Sequence, residues 1–424
     1  MIIEFSITNF RSIHQKQVFS MQASSARSKA DNIFEQKISN GDSVTLTKAA
    51  VLYGANASGK STIVLAFECL KNMIIDASNI KIDEPIPAYQ PFLFNPISAE
   101  APSEFEIIFI ADNKKKYRYL ISFNTEEILK EELYYYPKNN KARNIFRRPF
   151  EKSEKDANIH FGRLGKEWHN KKYDVHKKLP LLSIFGNAEN YHSEISDVYS
   201  YFKYLWVFNA VSDTTIDRIA RAVKVVIQGK SGQIFKTQIE KLINVCDTQI
   251  LSIQFDKNNK EDNPTETLLA EHNVFQEEKQ IGTKQLTFNQ ESVGTNRLFA
   301  IGGSILVALE GGRVIILDEL DSSLHPYISR FLVKLFLNPI SNPLNAQLIF
   351  TTHEPNLMDK DMLRADQIWF TEKTKFGETN LFSAQDFDGV REDIPFDKWY
   401  MAGKFGAVPN IADINFIFDD EKEN

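Results

Sequence analysis

The sequence of 424 residues is poor in cysteine and lacks any long apolar run. Its two cysteines, Cys69 and Cys246, form no CxxC pair, so we expect neither a disulfide framework nor a zinc site. The longest apolar stretch, residues 299–309, has 11 residues, whereas a membrane-spanning helix needs about 20. The N-terminus has no basic region followed by an apolar run, so no secretory signal is predicted. Together these absences favour a cytoplasmic protein without a membrane segment.

An excess of positive charge is missing as well. The formal net charge is −6, which argues against a protein that coats nucleic acid with its whole surface. Hydrophobic residues make up 42% of the chain and Phe occurs 32 times, so a sizeable core can form. The length is sufficient for two or three domains, or for one domain with a large insertion.

Apolar periodicity predicts α/β character at both ends of the chain. Residues 49–53 form an apolar run that is typical of a buried parallel strand, and helical spacing follows it. Residues 22–47 are rich in Ser, Asn and Lys and are predicted to be a loop. We therefore expect two α/β parts, residues 1–125 and 281–424. The part between them, residues 126–280, is predicted to be an insertion with a β-meander, a basic stretch and a helical portion.

A phosphate-binding loop is predicted directly after the strand at residues 49–53. The segment GANASGKS fits the pattern G-x-x-x-x-G-K-[ST], whose glycines let consecutive N–H groups surround phosphate oxygens. Lys60 would reach the β- and γ-phosphates, and Ser61 would bind Mg²⁺. The alternative is a glycine-rich turn without a ligand. The residues expected to bind the nucleotide are Gly54, Asn56, Ser58, Gly59, Lys60, Ser61 and Thr62.

Two carboxylates follow a second apolar run, VIIL, at positions 318 and 319. In open α/β sheets, ligands bind at the carboxyl ends of the strands, so Asp318 would help to hold Mg²⁺. Glu319 would polarise the attacking water. A structural cap at the end of the strand is the alternative.

A third apolar run, LIF, ends in Thr-Thr-His 34 residues after Glu319. A polar side chain at the tip of the neighbouring core strand can sense the γ-phosphate, so His353 is a candidate sensor and catalytic residue. A purely structural histidine is the alternative.

The order of these motifs resembles that of ABC-type ATPases. The segments NFRS near the start, LDELDSSLHP and TTH are similar to the RecF, SMC and OLD-like branch rather than to membrane transporters. Residues 291–298, 363–373 and 400–409 most resemble ATPase subunits of anti-phage systems, of the RloA and PARIS AriA kinds. The resemblance implies an ABC-type ATPase head, with a P-loop core sheet and an antiparallel β-subdomain, that carries an inserted, largely helical middle domain. It also implies ATP and Mg²⁺ as ligands.

The same resemblance makes residues 291–298 the signature segment. In the family, Ser292 and Gly294 would engage the γ-phosphate bound to a second copy, so that ATP joins a homodimer or a higher oligomer. A serine hydroxyl, backbone N–H groups and a helix N-terminus together suit an anion. A plain helix N-cap explains the same residues without a ligand.

Three further positions are matched to the family pattern. Arg11 corresponds to an arginine that approaches the phosphates, and Asp321 to the D-loop acid that crosses the dimer interface. Gln90 stands where the Q-loop glutamine would couple Mg²⁺ to the rest of the protein. An ordinary turn before Pro91 explains Gln90 equally well.

The resemblance favours a sensor or scaffold ATPase in anti-phage defence that controls a separate nuclease or toxin. No acidic nuclease cluster follows His353, so an effector would be another chain. A RecF-like DNA repair or recombination ATPase is the alternative. An ATP-locked scaffold with little turnover is a third hypothesis, and a transporter subunit fits poorly because LSGGQ is absent.

One stretch departs from the acidic balance of the chain. From Lys138 to Lys178 there are 13 Lys or Arg and 5 Asp or Glu, with aromatic residues between them. This composition suits contact with nucleic acid, a phage protein or another partner. It is equally typical of a solvated edge hairpin whose lysines block strand addition.

Overall fold

The computed structural model describes residues 1–81, 83–138, 141–148, 159–162, 175–187, 192–209, 213–229, 232–246, 249–255 and 268–409. Within these ranges the strands are β1 Ile2–Thr8, β2 Gln17–Ser20, β3 Ile33–Lys37, β4 Ser43–Thr47, β5 Ala49–Tyr53, β6 Ser103–Ile110, β7 Lys116–Phe123, β8 Ile128–Tyr135, β9 Arg143–Arg148, β10 His160–Phe161, β11 Trp206–Asn209, β12 Ile250–Phe255, β13 Leu268–Gln276, β14 Lys279–Thr287, β15 Val314–Asp318, β16 Gln347–Thr351, β17 Ile368–Lys373 and β18 Thr379–Ser383. The helices are α1 Lys60–Ile75, α2 Pro96–Glu100, α3 Leu181–Gly186, α4 Ser193–Lys203, α5 Asp213–Gln228, α6 Gly232–Val245, α7 Val293–Arg297, α8 Gly303–Gly311, α9 Pro326–Leu337 and α10 Phe396–Met401.

A six-stranded sheet forms the centre of the molecule, in the order β11-β15-β16-β5-β17-β18. The first five strands run parallel, and β18 pairs antiparallel with β17. The alternate residues of β5 enter two different cores, with Val51 on one face and Leu52 on the other. Burial on both faces explains why β5 is apolar throughout rather than alternating. The predicted α/β class is confirmed.

A seven-stranded antiparallel sheet, in the order β10-β9-β8-β7-β6-β1-β2, covers one face of this centre. Phe5 of β1 stacks on Phe67 of α1 with ring centroids 3.9 Å apart, which joins the two layers. The sheet contains β8, β9 and β10 from the segment predicted to be an insertion, and β8 pairs with β7 along its length. From the same segment, β11 pairs with β15 in the central sheet. Strands of residues 126–280 are thus shared with both sheets.

The helices of the middle segment pack against the helix that follows the signature segment. A five-residue π-helical turn, Leu298–Gly302, joins α7 to α8. A Cβ on Gly302 would lie 2.5 Å from Leu242 of α6, and one on Gly303 would lie 2.6 Å from Val223 of α5. The two glycines therefore allow α5 and α6 to approach the backbone closely. Among the described residues, none of the helices has both the length and the apolar character that crossing a membrane requires.

The prediction of a loop over residues 22–47 is wrong for its second half. The strands β3 and β4 pair antiparallel and form a hairpin there. Phe34 and Leu46 are buried against Ile3 in a small separate core. Only one face of this hairpin is apolar. The polar residues on its exposed face made the segment polar enough on average to be predicted as a loop.

Candidate functional site

The loop between β5 and α1 has the geometry that the glycine pattern predicts. Gly54 has φ +154° and Gly59 has φ +115°, which are backbone conformations that favour glycine. A Cβ on Gly54 would lie 2.4 Å from the carbonyl oxygen of Thr371, and one on Gly59 would lie 2.3 Å from Thr379 Oγ1. Neither glycine can therefore carry a side chain without displacing its neighbours.

Threonines from β17 and β18 hold this loop from the side. Ser58 Oγ and Thr371 Oγ1 share a hydrogen bond of 2.6 Å. Thr379 Oγ1 donates to the Ser58 carbonyl at 2.8 Å and also contacts Ser12 Oγ at 2.8 Å. Both threonines lie more than 300 residues from Ser58, and no local motif in the sequence pointed to them.

Lys60 is buried at the first turn of α1. Its Nζ donates to the carbonyl oxygens of Gly54 at 2.8 Å and Ala55 at 3.3 Å. The start of the loop therefore lies against the ammonium group. Burial lowers the pKa of Lys60, and the carboxylates of Asp318, Glu319 and Asp321 oppose this shift. The lysine and the acids from the far end of the sequence therefore lie within electrostatic reach of one another.

Asp318 ends β15 and is fully buried. Its Oδ1 accepts a hydrogen bond of 2.5 Å from Thr351 Oγ1, and its Oδ2 is buried without a partner. An unsatisfied carboxylate oxygen is costly in a protein interior, and a hydrated cation would satisfy it. Ser61 lines the cleft, whereas Asp318 does not. These two oxygen donors fit Mg²⁺, which keeps most of its ligands as water and phosphate.

Glu319 follows in a strained backbone conformation, with φ +50°. Its N–H donates to Thr351 Oγ1 at 2.8 Å, so one threonine positions both acids. Arg11, Ala57 and Ser323 also adopt positive φ in the segments around the cleft. Non-glycine residues seldom adopt this conformation, so the backbone at each of these positions is constrained by its surroundings.

A cleft of about 930 Å³ collects most of the predicted residues. His353 and Glu319 line it together with the loop around Lys60, and we call this part of the cleft its phosphate end. Arg11 and Gln90 also line it, and the Arg11 N–H donates to the Gln90 carbonyl at 2.6 Å. The other predicted residues that line it are Asn56, Ser58, Gly59, Lys60, Ser61 and Thr62. The remaining lining residues, which the sequence patterns missed, are Ser12, Ala57, Tyr89, Pro91, Leu93, Phe94 and Lys373.

The signature segment lies outside this cleft, since neither Ser292 nor Gly294 lines it. Ser292 is exposed and caps α7, with its Oγ accepting from the Thr295 N–H at 3.0 Å. A Cβ on Gly294 would lie 3.3 Å from the carbonyl oxygen of Ser323. The start of α7 thus packs on the loop that carries Asp321.

That loop is tied to both neighbours. Arg297 is buried and donates from Nη1 to the Ser322 carbonyl at 3.0 Å. On its other side, Asp321 Oδ2 accepts from the His353 N–H at 3.4 Å, and its Oδ1 is buried without a partner. The loop therefore connects the exposed Ser292 surface to the phosphate end of the cleft.

The C-terminal sequence YMAGKFGAVP packs on the strand that braces the phosphate loop. Tyr400 stacks on Phe370 of β17 with ring centroids 5.6 Å apart, and Phe405 stacks on the same ring at 5.0 Å. Glu372 Oε1 accepts from the Ala407 N–H at 3.1 Å. This segment, to which the sequence assigned no chemistry, stabilises β17 from behind.

The described part of the basic stretch divides into two groups. Arg148 donates to the carbonyl oxygens of Lys177 and Leu179, and the buried Lys178 donates to that of Glu84, so both have structural contacts. Lys141, Arg143 and Arg147 are exposed. Lys171 and Lys172 lie outside the described residues.

The parallel sheet, the glycine-bounded loop around Lys60 and the acids at the end of β15 define a P-loop ATPase of the AAA or ABC type. The chain belongs to the family described as "AAA domain, putative AbiEii toxin, Type IV TA system", whose model matches residues 49–359.

Solved structures show more distant likeness. The chain is similar to the SMC head domain from Thermotoga maritima, with 13% identity and a TM-score of 0.40, over 90% of this chain and 98% of that one. It is also similar to the recombination mediator protein RecF with ATPrS, with 12% identity and a TM-score of 0.35, over 90% and 98% of the two chains. Neither similarity carries residue roles to this chain. No curated protein matches the sequence.

Proposed function

We propose that this protein binds ATP with Mg²⁺ and hydrolyses it in a site that a second copy completes. In this proposal Lys60 holds the β- and γ-phosphates, and Ser61 and Asp318 hold the cation, with Gln90 beside it. Glu319 orients the attacking water, and His353 senses the γ-phosphate. The remaining groups, Arg11 in the cleft wall and Asp321 at the interface, position the nucleotide and the partner.

One observation carries the proposal of a shared site. Ser292 and Gly294 stand beside the Asp321 loop on the exposed surface, off the cleft of their own chain. A helix N-terminus with an exposed serine suits a phosphate, yet the chain's own phosphate loop lies elsewhere. A second copy related by two-fold symmetry would bring its phosphate loop to this surface, and the reverse contact would form at the same time.

Replacement of Glu319 by Gln tests the hydrolytic role. The variant keeps the size of the side chain and removes its charge, so ATP should bind normally. Hydrolysis should fall about 100-fold, because general bases contribute at least this much. Dimers should accumulate with ATP, measured by light scattering. Turnover equal to the wild type would remove Glu319 from the mechanism.

We assign the protein to anti-phage defence, as the sensor or scaffold that controls a separate effector. The family description names a "putative AbiEii toxin" of a type IV toxin–antitoxin system, which supports a two-component system but favours this chain as the toxin over a separate effector. The packing of α5 and α6 on α8 provides a route by which a trigger could alter the signature segment. Expression of this chain alone should leave bacterial growth unchanged. Growth arrest that needs Lys60 would make this chain the toxin itself and contradict a separate effector.

A RecF-like role in DNA repair is the alternative, supported by the exposed Lys141, Arg143 and Arg147. It predicts that duplex DNA stimulates ATP hydrolysis, with a steep loss of binding as salt rises. The defence role predicts no such stimulation. ATP that binds tightly without measurable turnover would instead indicate an ATP-locked scaffold.

A further inference from the structure

The cleft is lined in part by two large apolar side chains that the phosphate chemistry does not use. Leu93 and Phe94 line it and are 71% and 73% exposed. Both follow Gln90 in the wall that also contains Arg11. Large apolar side chains held open beside a ligand cleft indicate a ligand with an apolar surface.

Phe94 is exposed but firmly placed. Its neighbour Phe92 is buried, and the Phe92 N–H donates to Asn9 Oδ1 at 3.0 Å. The rings of Phe92 and Phe94 meet edge to face, with centroids 5.6 Å apart. On its other side the Phe94 ring packs on Gly377, where a Cβ would lie 2.8 Å from Cδ2. The ring is therefore held in place before any ligand binds.

The same glycine lies close in sequence to a residue that contacts the phosphate loop. Gly377 stands two residues before Thr379, whose Oγ1 donates to the Ser58 carbonyl of the loop. Phe94 and Ser58 both line the cleft, so the ring is accessible to a nucleotide whose phosphates lie in the loop. A nucleotide with its phosphates at Lys60 would extend its ribose and base along this wall. Arg11 and Lys373 also line the cleft and supply polar groups to it.

We infer that Phe94, together with Leu93, is the platform on which the base of the nucleotide stacks. The inference rests on the proposed nucleotide-binding function and adds the residue that recognises the base. Aromatic side chains stack on every base, and a purine offers a larger surface than a pyrimidine. The platform therefore raises affinity for all nucleoside triphosphates and gives a modest preference for purines.

Phe94→Ala, Phe94→Trp and the control Phe376→Ala test this inference. Phe376 is 65% exposed on the neighbouring turn but does not line the cleft. Calorimetry would compare ATP with inorganic tripolyphosphate, both with Mg²⁺. Phe94→Ala should weaken ATP binding about tenfold and leave tripolyphosphate binding within about twofold. Phe94→Trp should restore ATP affinity, and its fluorescence should change with ATP. Phe376→Ala should bind both ligands as the wild type does.

Two results would overturn the platform. One is ATP affinity in Phe94→Ala equal to that of Phe376→Ala. The other is an equal loss for ATP and tripolyphosphate, which would mean that Phe94 only shapes the phosphate end. Failure of the proposed function is different, because the wild type itself would then bind neither ATP nor tripolyphosphate.

Discussion

The phosphate end of the cleft and the signature segment are built in opposite ways. At the phosphate end Lys60 and Asp318 are buried, and hydrogen bonds of Thr371, Thr379 and Thr351 hold Ser58 and the Asp318 carboxylate. At the signature segment Ser292 is exposed, and its hydroxyl hydrogen-bonds to Thr295 of its own helix turn. The first region has the groups that a phosphate needs within one chain. The signature segment has groups suited to a phosphate, but it lies away from the phosphate loop of its own chain. This arrangement is expected when two chains share a site.

Lys60→Ala should give the largest effect, because it removes phosphate binding at the phosphate end. Removal of the buried ammonium group takes away the main positive charge opposite the β- and γ-phosphates. We expect ATP hydrolysis to fall by about 1000-fold and ATP binding to become undetectable by calorimetry. Lys375→Ala is the control, because Lys375 is exposed on the turn between β17 and β18 and does not line the cleft. Retained ATP affinity in Lys60→Ala would mean that the nucleotide binds elsewhere.

Ser292→Asp should give the next largest effect. It prevents the signature segment from binding a partner's phosphate and leaves the phosphate end unchanged. Asp caps helices as well as Ser does, so α7 should keep its structure, while the new charge would repel a partner's γ-phosphate. Hydrolysis should fall about 100-fold and dimers should be lost, yet ATP should bind each monomer normally.

Ser292→Asn is the matched control, since Asn also caps helices but is neutral. It should stay within a few-fold of the wild type in hydrolysis and in dimer formation. Equal activity of the Asp and Asn variants would reduce Ser292 to a plain helix cap.

Thr379→Val should give the smallest effect. It tests whether the hydrogen bonds of Thr379 to Ser58 and Ser12 hold the phosphate loop in place. Valine keeps the shape of the buried threonine but removes the hydroxyl that donates to the Ser58 carbonyl and contacts Ser12 Oγ. We expect ATP affinity to fall about fivefold, in proportion to one lost buried hydrogen bond. Thr379→Ser keeps the hydroxyl and should bind ATP nearly as the wild type does. Equal ATP affinities for the Val and Ser variants would mean that the Thr379 hydroxyl does not support ATP binding.

The strand, loop and helix around Lys60 were predictable because their residues lie in short contiguous motifs. A strand, a glycine-bounded loop and a helix follow one another from residue 49, and the apolar run before Asp318 predicts its place at a strand end. Thr371, Thr379 and Phe94 were not predicted as site residues. The threonines are brought to the loop by the pairing of β17 with β5, and Phe94 is placed at the cleft by its packing on Gly377. A lone polar or aromatic residue carries no local pattern for such a role.

Activity of a mixture of Lys60→Ala and Ser292→Asp chains tests the shared site most directly. Each variant should be nearly inactive alone. A mixed dimer combines the intact phosphate loop of one chain with the intact signature segment of the other. An equimolar mixture should therefore recover about a quarter of the wild-type ATPase rate, because half of the dimers carry one intact site of two. A mixture no more active than the sum of the separate variants would contradict the account.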